Sequence, residues 1–460
     1  MRFIEYFKFL REKYEVTSTE LLEALSTYGC EIKKGSLSHK LSGERKINCD
    51  ELEIFIEVLQ PSVAEESRLR DLFKIIGRSF KIYDFGETEF EEVKLIKEYI
   101  EQFDNNTIVQ FDEFNIELEN ISEINDDRLL TAVMVKLLSN AWGKNSIEIM
   151  CQPENTKLID LLLNLSNQST SKVRQLVCFN NDYKNDSNIY NIRCLSVLDK
   201  LVIRNPAHTI HYFYDKVNAR ANALTVFPFF ITAGNKALFL SHDFKTGYLV
   251  HEISLVNKLR SEFERIFQQS HELFQVIEND IEYMKLCNDY EKTANNLFYT
   301  LQFHPCIRFN GDEKITRSCI KDDHPYSDEI MEFIRSSWKN SKKIKGYHFH
   351  SATGTQDFLN NGITTDMSTA LFEPIAEKDR SIILDKVKSN TVQIGIEIND
   401  SFIRVPYKLS IVCYDSGIVL LSYRDASGSR LILKERSLYK SMMNFFKYLY
   451  GYERTDMSRN

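Results

Sequence analysis

The hydrophobic pattern of this chain changes character once, near Ser146. Before that point apolar residues recur every three to four positions, the period of helices packed on a common core. After it, short apolar alternations are interleaved with helical stretches, the pattern of a layered α/β body. At 460 residues the chain exceeds one ordinary core, so two to four domains are expected. Only 8 prolines and 16 glycines, with 43% hydrophobic residues, describe an ordered globular protein.

In the helical part, Phe3, Phe7, Leu10 and Tyr14 form one stripe. Thr17 with Glu20 makes a capping-box pattern ahead of Leu21, Leu22 and Leu25, and Gly29 closes that second helix. The next segment, Ser36-Leu37-Ser38-His39-Lys40-Leu41-Ser42-Gly43-Glu44-Arg45-Lys46-Ile47, reads as a short helix stopped by glycine and followed by two basic residues. Leu37 and Leu41, four apart, share the inner face, which leaves Ser36, His39 and Lys40 on the other side. Side chains of this kind suit base edges and phosphates in a major groove. Asn48 or Asp50 caps a fourth helix with Leu52, Phe55, Ile56 and Leu59 inward, and a fifth from about residue 64 carries Leu69, Leu72, Phe73 and Ile76. The net charge of −8 excludes polyanion binding by bulk composition. The signal is local: Lys33, Lys34, Lys40, Arg45 and Lys46 lie between Ile32 and Lys46 against Glu44 alone.

Five short helices with this spacing resemble the Cro/C1-type helix-turn-helix domain, also called the xenobiotic-response-element family. The matching residues are Leu21-Leu22-Glu23-Ala24-Leu25, the segment Ser36 to Ile47, and Asp50-Glu51-Leu52. The resemblance covers roughly the first 75 residues, with one departure: Leu25 and Leu37 stand twelve positions apart, where the family has about seven, so the turn is longer. It implies that Ser36 and His39 face bases and that Lys33, Lys34, Ser38, Lys40, Arg45 and Lys46 hold phosphates. The plainer alternative is a solvated charged helix in a generic bundle.

The expected layout is a helix-turn-helix head over 1–78, a helical linker or dimerisation segment over 79–144, an α/β domain over 145–275, a helical connector over 276–345, and a second α/β domain over 346–460. Within it, Phe90, Val93, Ile96, Ile100 and Phe103 mark an amphipathic helix, 104–127 an acidic, Asn-rich loop, and 128–142 another helix. The stretch Phe229 to Ser241 reads strand, turn, strand, then a further strand and a helix with Val256, Leu259, Phe263 and Phe267. Leu409 to Ser422 begins the same series, ending in a helix with Leu438, Met442, Phe445 and Phe446. The spacing admits a duplication; two unrelated meanders remain open. This ending loosely resembles the degenerate phospholipase-D-like sensor domains of bacterial regulators. Active members of that superfamily need His-x-Lys-x4-Asp, and the chain has no His-x-Lys.

Other chemistries find less support. His348 and His350 share one strand face with His324 upstream, and His208 and His211 lie three apart, but neither set has a third ligand at a metal-site spacing. No GxGxxG, Walker or Gly-x-Ser-x-Gly pattern occurs. The nine cysteines are scattered without a CxxC pair, as in a reduced, cytoplasmic protein with no disulfide framework or cofactor; Cys151, Cys178 and Cys194 read as packed thiols. No signal peptide or membrane-spanning stretch is read. The expectation is therefore a cytoplasmic bacterial transcriptional regulator, not an enzyme, that binds double-stranded operator DNA as a homodimer. Its body would sense an unidentified small-molecule or protein effector. The rival is an enzyme, effector or protein-binding scaffold that uses the head only for targeting.

Overall fold

The computed structural model describes residues 3–27, 30, 32–42, 47, 49–62, 65–66, 68–69, 72–73, 87–103, 111, 116–180, 187–215, 227–293, 297–321, 325–423 and 429–456. The chain is a mixed α/β multidomain protein in two compact units, Met1–Lys94 with Asn444–Asn460, and Leu95–Met443.

The first unit opens with α1 (Phe3–Lys13), α2 (Ser18–Thr27), α3 (Lys34–Leu41) and α4 (Cys49–Leu59). The capping box at α2 forms as expected: Thr17 N donates to Glu20 Oε2 at 2.7 Å, and Glu20 N to Thr17 Oγ1 at 3.2 Å. A second box, Ser62 with Glu65, precedes helical residues at 65–66, 68–69 and 72–73. Phe3, Phe7, Leu10, Leu21, Leu25 and Phe55 are all buried. Phe7 lies 5.8 Å from Phe3 and 5.2 Å from Phe55 between ring centroids. Burying each such ring stabilises by about 1.5–3 kcal/mol. The expected stop at Gly29, a cap by Asn48 or the Asp50 side chain, and Ile76 fall outside the described residues. The amphipathic stretch forms α5 (Glu87–Glu101), and Phe90 meets Tyr448 edge-on at 6.1 Å. Of the expected acidic loop, 104–110 and 112–115 fall outside the described residues.

The second unit holds two sheets. The first is built in the order β1 (Glu123–Ile124), α6 (Asp127–Ala141), β2 (Ile147–Met150), α7 (Thr156–Ser166), β3 (Val173–Asn180), α8 (Ser187–Arg204), β4 (His208–Asp215), β5 (Phe229–Ala233), β6 (Lys236–Leu240), β7 (Gly247–Val250), α9 (Ile253–Gln269) and β8 (His271–Glu272). Strands β2, β3 and β4 run parallel, joined by crossover helices. β5 returns antiparallel on the other side of β2 and continues through β6 and β7 to β1, which gives the order β1-β7-β6-β5-β2-β3-β4-β8.

The second sheet repeats this path with β9 (Phe274–Ile277), α10 (Asp280–Thr293), β10 (Leu297–Gln302), α11 (Glu313–Cys319), α12 (Ser327–Ser341), β11 (Lys345–Ser351), α13 (Ala352–Asn361), α14 (Glu377–Ser389), β12 (Gln393–Ile398), β13 (Leu409–Tyr414), β14 (Ile418–Tyr423), β15 (Arg430–Leu433) and α15 (Arg436–Asp456). Its order is β12-β11-β10-β13-β14-β15-β9, with β10, β11 and β12 parallel and β13 antiparallel to β10. This corrects one expectation. The segment 276–345, read as a helical connector, contains β10, the strand at which the second sheet passes from parallel to antiparallel pairing. Leu297 to Gln302 is buried on both faces, so it shows no clean alternation and is short enough to be passed over between helices.

The two sheets match in register as well as in path. Ile147 pairs with Ala233, the last residue before the β5–β6 turn, and Phe298 pairs with Tyr414, the last before the β13–β14 turn. Both turns contain a glycine at positive φ, Gly234 at 58° and Gly417 at 92°, where a side chain would be strained. On this register Gln175 corresponds to His348, and His208 to Gln393. In the first sheet His208 Nε2 lies 3.1 Å from Gln175 Oε1, and in the second His348 Nε2 lies 2.9 Å from Gln393 Oε1. The same buried His–Gln pair ties neighbouring parallel strands in both sheets with the residue types exchanged.

A further buried polar cluster joins the sheets. Asp199 of α8 accepts hydrogen bonds from Tyr99 of α5 at 2.8 Å and from Tyr423 of β14 at 3.1 Å. Burial pushes its carboxyl up to about 6, against the tyrosine bonds and the Lys200 charge that pull it down. The folded state therefore favours the neutral acid. That stability is present below the ordinary carboxylate value of 3.8 and is lost as pH rises through about 6. Asp199→Asn, always neutral, should flatten the fall in thermal stability between about pH 4 and 6, recovering ~3 kcal/mol at neutral pH. Melting curves of both proteins across that range check this; parallel curves would exclude the role.

Candidate nucleic-acid interface

Helix α3 is short, and its own propensity is modest: Gly35 sits in the first turn and Ser36 and Ser38 follow. Packing holds it instead. Leu37 is buried, and Leu41 half-buried, on the inner face. The main-chain N–H of Ser42 donates to Ser38 O at 2.9 Å, and its hydroxyl to His39 O at 3.1 Å, which closes the last turn. At the other end Lys33 occupies the N-cap position without a side-chain cap, and no acidic residue lies in the first turn. Such a terminus presents main-chain N–H groups and the positive end of the helix dipole.

The candidate residues separate by environment. Lys33, Lys34, Ser38 and His39 are exposed, and Ser36 is half-buried. Lys40 is held differently: its Nζ lies 2.8 and 2.7 Å from the two carboxylate oxygens of Glu51 on α4. The Lys40 side chain is 15% exposed and that of Glu51 4%. The ion pair clips α3 onto α4, a role that charge counting missed. The available signal was position: Lys40 is adjacent to Leu41 and three residues beyond Leu37, at the edge of the inward face. Arg45 and Lys46 lie outside the described residues.

The histidines weighed as metal ligands are structural. His348 is bound through Nδ1 to Thr300 Oγ1 at 2.9 Å as well as to Gln393, and His350 Nδ1 lies 3.3 Å from His348 O. Burial pushes both imidazoles down to about 4, so they are neutral at physiological pH. His208 is pushed down to about 3 by the same cause. His211 stacks on Phe267 at 3.7 Å. His324 lies outside the described residues, and among the described residues no three His, Cys, Asp or Glu side chains are grouped to hold a metal. Cys151, Cys178 and Cys194 are buried, and burial pushes the thiols of Cys151 and Cys194 up, away from the reactive thiolate.

The body contains a cavity of about 520 Å³ that the sequence reading did not locate. It lies between the second sheet, through Thr300, Gln302 and Ser410, and helices α10 and α12, through Met284 and Phe333. Arg308 in its wall pairs with Glu291 at 2.7 Å, and Arg430 pairs with Asp280 and lies over the Tyr283 ring.

No protein-family model matches the chain, and no curated protein matches it. Solved structures that it resembles include TrmBL2, an archaeal chromatin protein with a novel mode of DNA binding, at 12% identity and a TM-score of 0.23, covering 58% of this chain and 99% of that one. Another is the phosphatidylserine synthase of Haemophilus influenzae Rd KW20, at 9% identity and a TM-score of 0.21, covering 78% of this chain and 90% of that one. Likeness this slight decides nothing about activity.

The Lys40–Glu51 pair has a direct consequence. Glu51→Ala strands a largely buried ammonium and should destabilise the first unit by ~3 kcal/mol, whereas Lys40→Met with Glu51→Leu together should lose much less. Urea unfolding of the singles and the double checks this, and equal losses in both would remove the pairing from the account.

Proposed function

We propose that the chain is a bacterial, cytoplasmic transcriptional regulator that binds operator DNA sequence-specifically through α3 and acts as a homodimer. The observation that carries this reading is the surface of α3: an eight-residue helix docked by Leu37 and by the Lys40–Glu51 pair, with Lys33, Lys34, Ser38 and His39 exposed on it or at its start. In this reading Lys33, Lys34 and Ser38, with Arg45 and Lys46, contact phosphates, and Ser36 and His39 approach base edges. Lys40 contributes by holding the helix at its angle as well as by its charge. One short helix reads few base pairs, so two heads on half-sites one helical turn apart supply operator specificity. The two-sheet body would carry dimerisation and effector sensing.

The cavity in the second sheet favours one further reading, in which the body is an enzyme or effector and the head only targets it. The buried histidines argue against them as acid–base groups, since they are neutral and hydrogen-bonded within the sheets.

Two variants separate phosphate contact from base reading. Lys33→Ala with Lys34→Ala should reduce the slope of log affinity against log salt by about 2 and weaken all sequences alike. His39→Ala should leave the slope unchanged and shrink the margin between operator and random DNA by about tenfold. Fluorescence anisotropy across salt concentrations, on DNA selected from a random pool by the protein, measures both. No binding at low salt would overturn the reading.

A further inference from the structure

A pocket of about 520 Å³ falls in the size range of small-molecule sites. The first sheet has a smaller pocket, of about 130 Å³, beside Cys151, so the larger volume goes with the second sheet's lining. On the shared register Thr300 corresponds to Ile149, and continuing it one residue past the end of β2 brings Gln302 to Cys151. The first sheet thus places apolar, fully buried side chains where the second places a hydroxyl and a carboxamide against open volume. Polar groups on a core face are unfavourable unless they are hydrogen-bonded. Thr300 is bonded to His348, Gln302 Nε2 donates to His304 O at 3.1 Å, and Ser410 Oγ lies 3.4 Å from Gln302 Oε1.

The walls define what fits. Each arginine of the wall is already paired with a carboxylate: Arg308 with Glu291, and Arg430 with Asp280. An anionic ligand would have to break one of these pairs or enter low dielectric unmatched, which is strongly unfavourable. Asp366 Oδ2 accepts from the main-chain N–H of Ile307 at 3.0 Å and of Arg308 at 2.8 Å, while its Oδ1 is buried with no donor among the described residues. That leaves an acceptor for a ligand hydroxyl or amide. The lining also includes Phe309, Phe333, Ile334 and Leu371, which give it apolar surface.

We propose that this cavity binds a small molecule without negative charge that couples an apolar ring to several hydroxyl or amide groups, the chemistry shared by nucleosides and aryl glycosides. The ring lies against Phe309 and Phe333, and the hydroxyls face Gln302, Ser410 and Asp366. This deepens the effector-sensing part of the proposed function and rests on it only for the consequence of binding. Lys408 and Thr369 are exposed lining residues and mark where the volume meets solvent.

The test is calorimetric titration of the full chain with adenosine, with phenyl β-glucoside, and with adenosine monophosphate as a charged control. Binding of adenosine or of the glucoside is expected, and which one binds identifies the source. The monophosphate should bind at least tenfold more weakly than adenosine if adenosine binds, and not at all if only the glucoside does. Ser410→Phe, which fills the volume, should weaken the bound probe at least tenfold. Thr369→Trp, at the exposed rim, should do the same and keeps the test open if Ser410→Phe does not fold. Failure of both uncharged probes to bind at millimolar concentration overturns the proposal, as does tighter binding of the monophosphate or unchanged affinity in folded Thr369→Trp. DNA binding measured on the same protein separates the two readings: probe binding without DNA binding overturns the regulator alone, and DNA binding without probe binding overturns the cavity site alone.

Discussion

Each sheet depends on the register of its central strand, β2 or β10, paired parallel on one side and antiparallel on the other. Side chains alternate along a strand, so a slip of one residue would carry every inward side chain to the opposite face. Hydrophobic patterning constrains these strands weakly, because both faces are buried and carry apolar residues. Buried polar groups supply the missing discrimination. The His208–Gln175 and His348–Gln393 hydrogen bonds form in one register only, and a shift would leave two more polar groups unpaired in low dielectric. Glu148 on β2 acts in the same way: it is 2% exposed, meets Arg174 and Arg260 at 3.3 Å each, and accepts from Thr232 and Ser146. Its bonds reach β3, β5 and α9, so the strand and both of its neighbours are aligned by one carboxylate.

What was legible in the sequence follows from this division of labour. The helices of the first unit were readable because each carries its own punctuation, a capping box at Thr17–Glu20 and an apolar stripe such as Phe3-Phe7-Leu10. The hairpins β5–β6 and β13–β14 were readable because their turns hold Gly234 and Gly417 between apolar runs. β10 was not, since a six-residue strand buried on both sides has no period to detect. Nor was the His–Gln exchange, because its partners are 33 and 45 residues apart and are matched only by strand pairing. For the candidate interface, charge and exposure could be estimated locally, whereas the pairing of Lys40 with Glu51 depends on how α3 meets α4.

The repeat also explains how one fold can carry different interiors. Corresponding strands keep the features that set register: the turn glycines, the His–Gln pair and the antiparallel return. They differ where register does not depend on them. Ile149 and Cys151 in one sheet and Thr300 and Gln302 in the other occupy matching places, and the second set is tolerated because each member finds a hydrogen bond nearby.

The same principle bears on how the body could respond to a ligand. Asp199 is bonded to tyrosines from α5 and β14, so α5, the first sheet's α8 and the second sheet's β14 meet at one buried carboxyl. Ser422, the neighbour of Tyr423 on β14, donates to Tyr283 Oη at 3.0 Å, and Tyr283, Ser422 and Tyr423 all line the cavity. A ligand that moved Tyr283 would thus act on the strand that holds Tyr423 against Asp199. Two-state coupling needs a connected set of groups with alternative arrangements, and these hydrogen-bonded hydroxyls around a carboxyl supply the connected set. The connection runs through side chains within hydrogen-bonding distance of one another at every step except one, the single peptide between Ser422 and Tyr423, and along a strand that step is rigid.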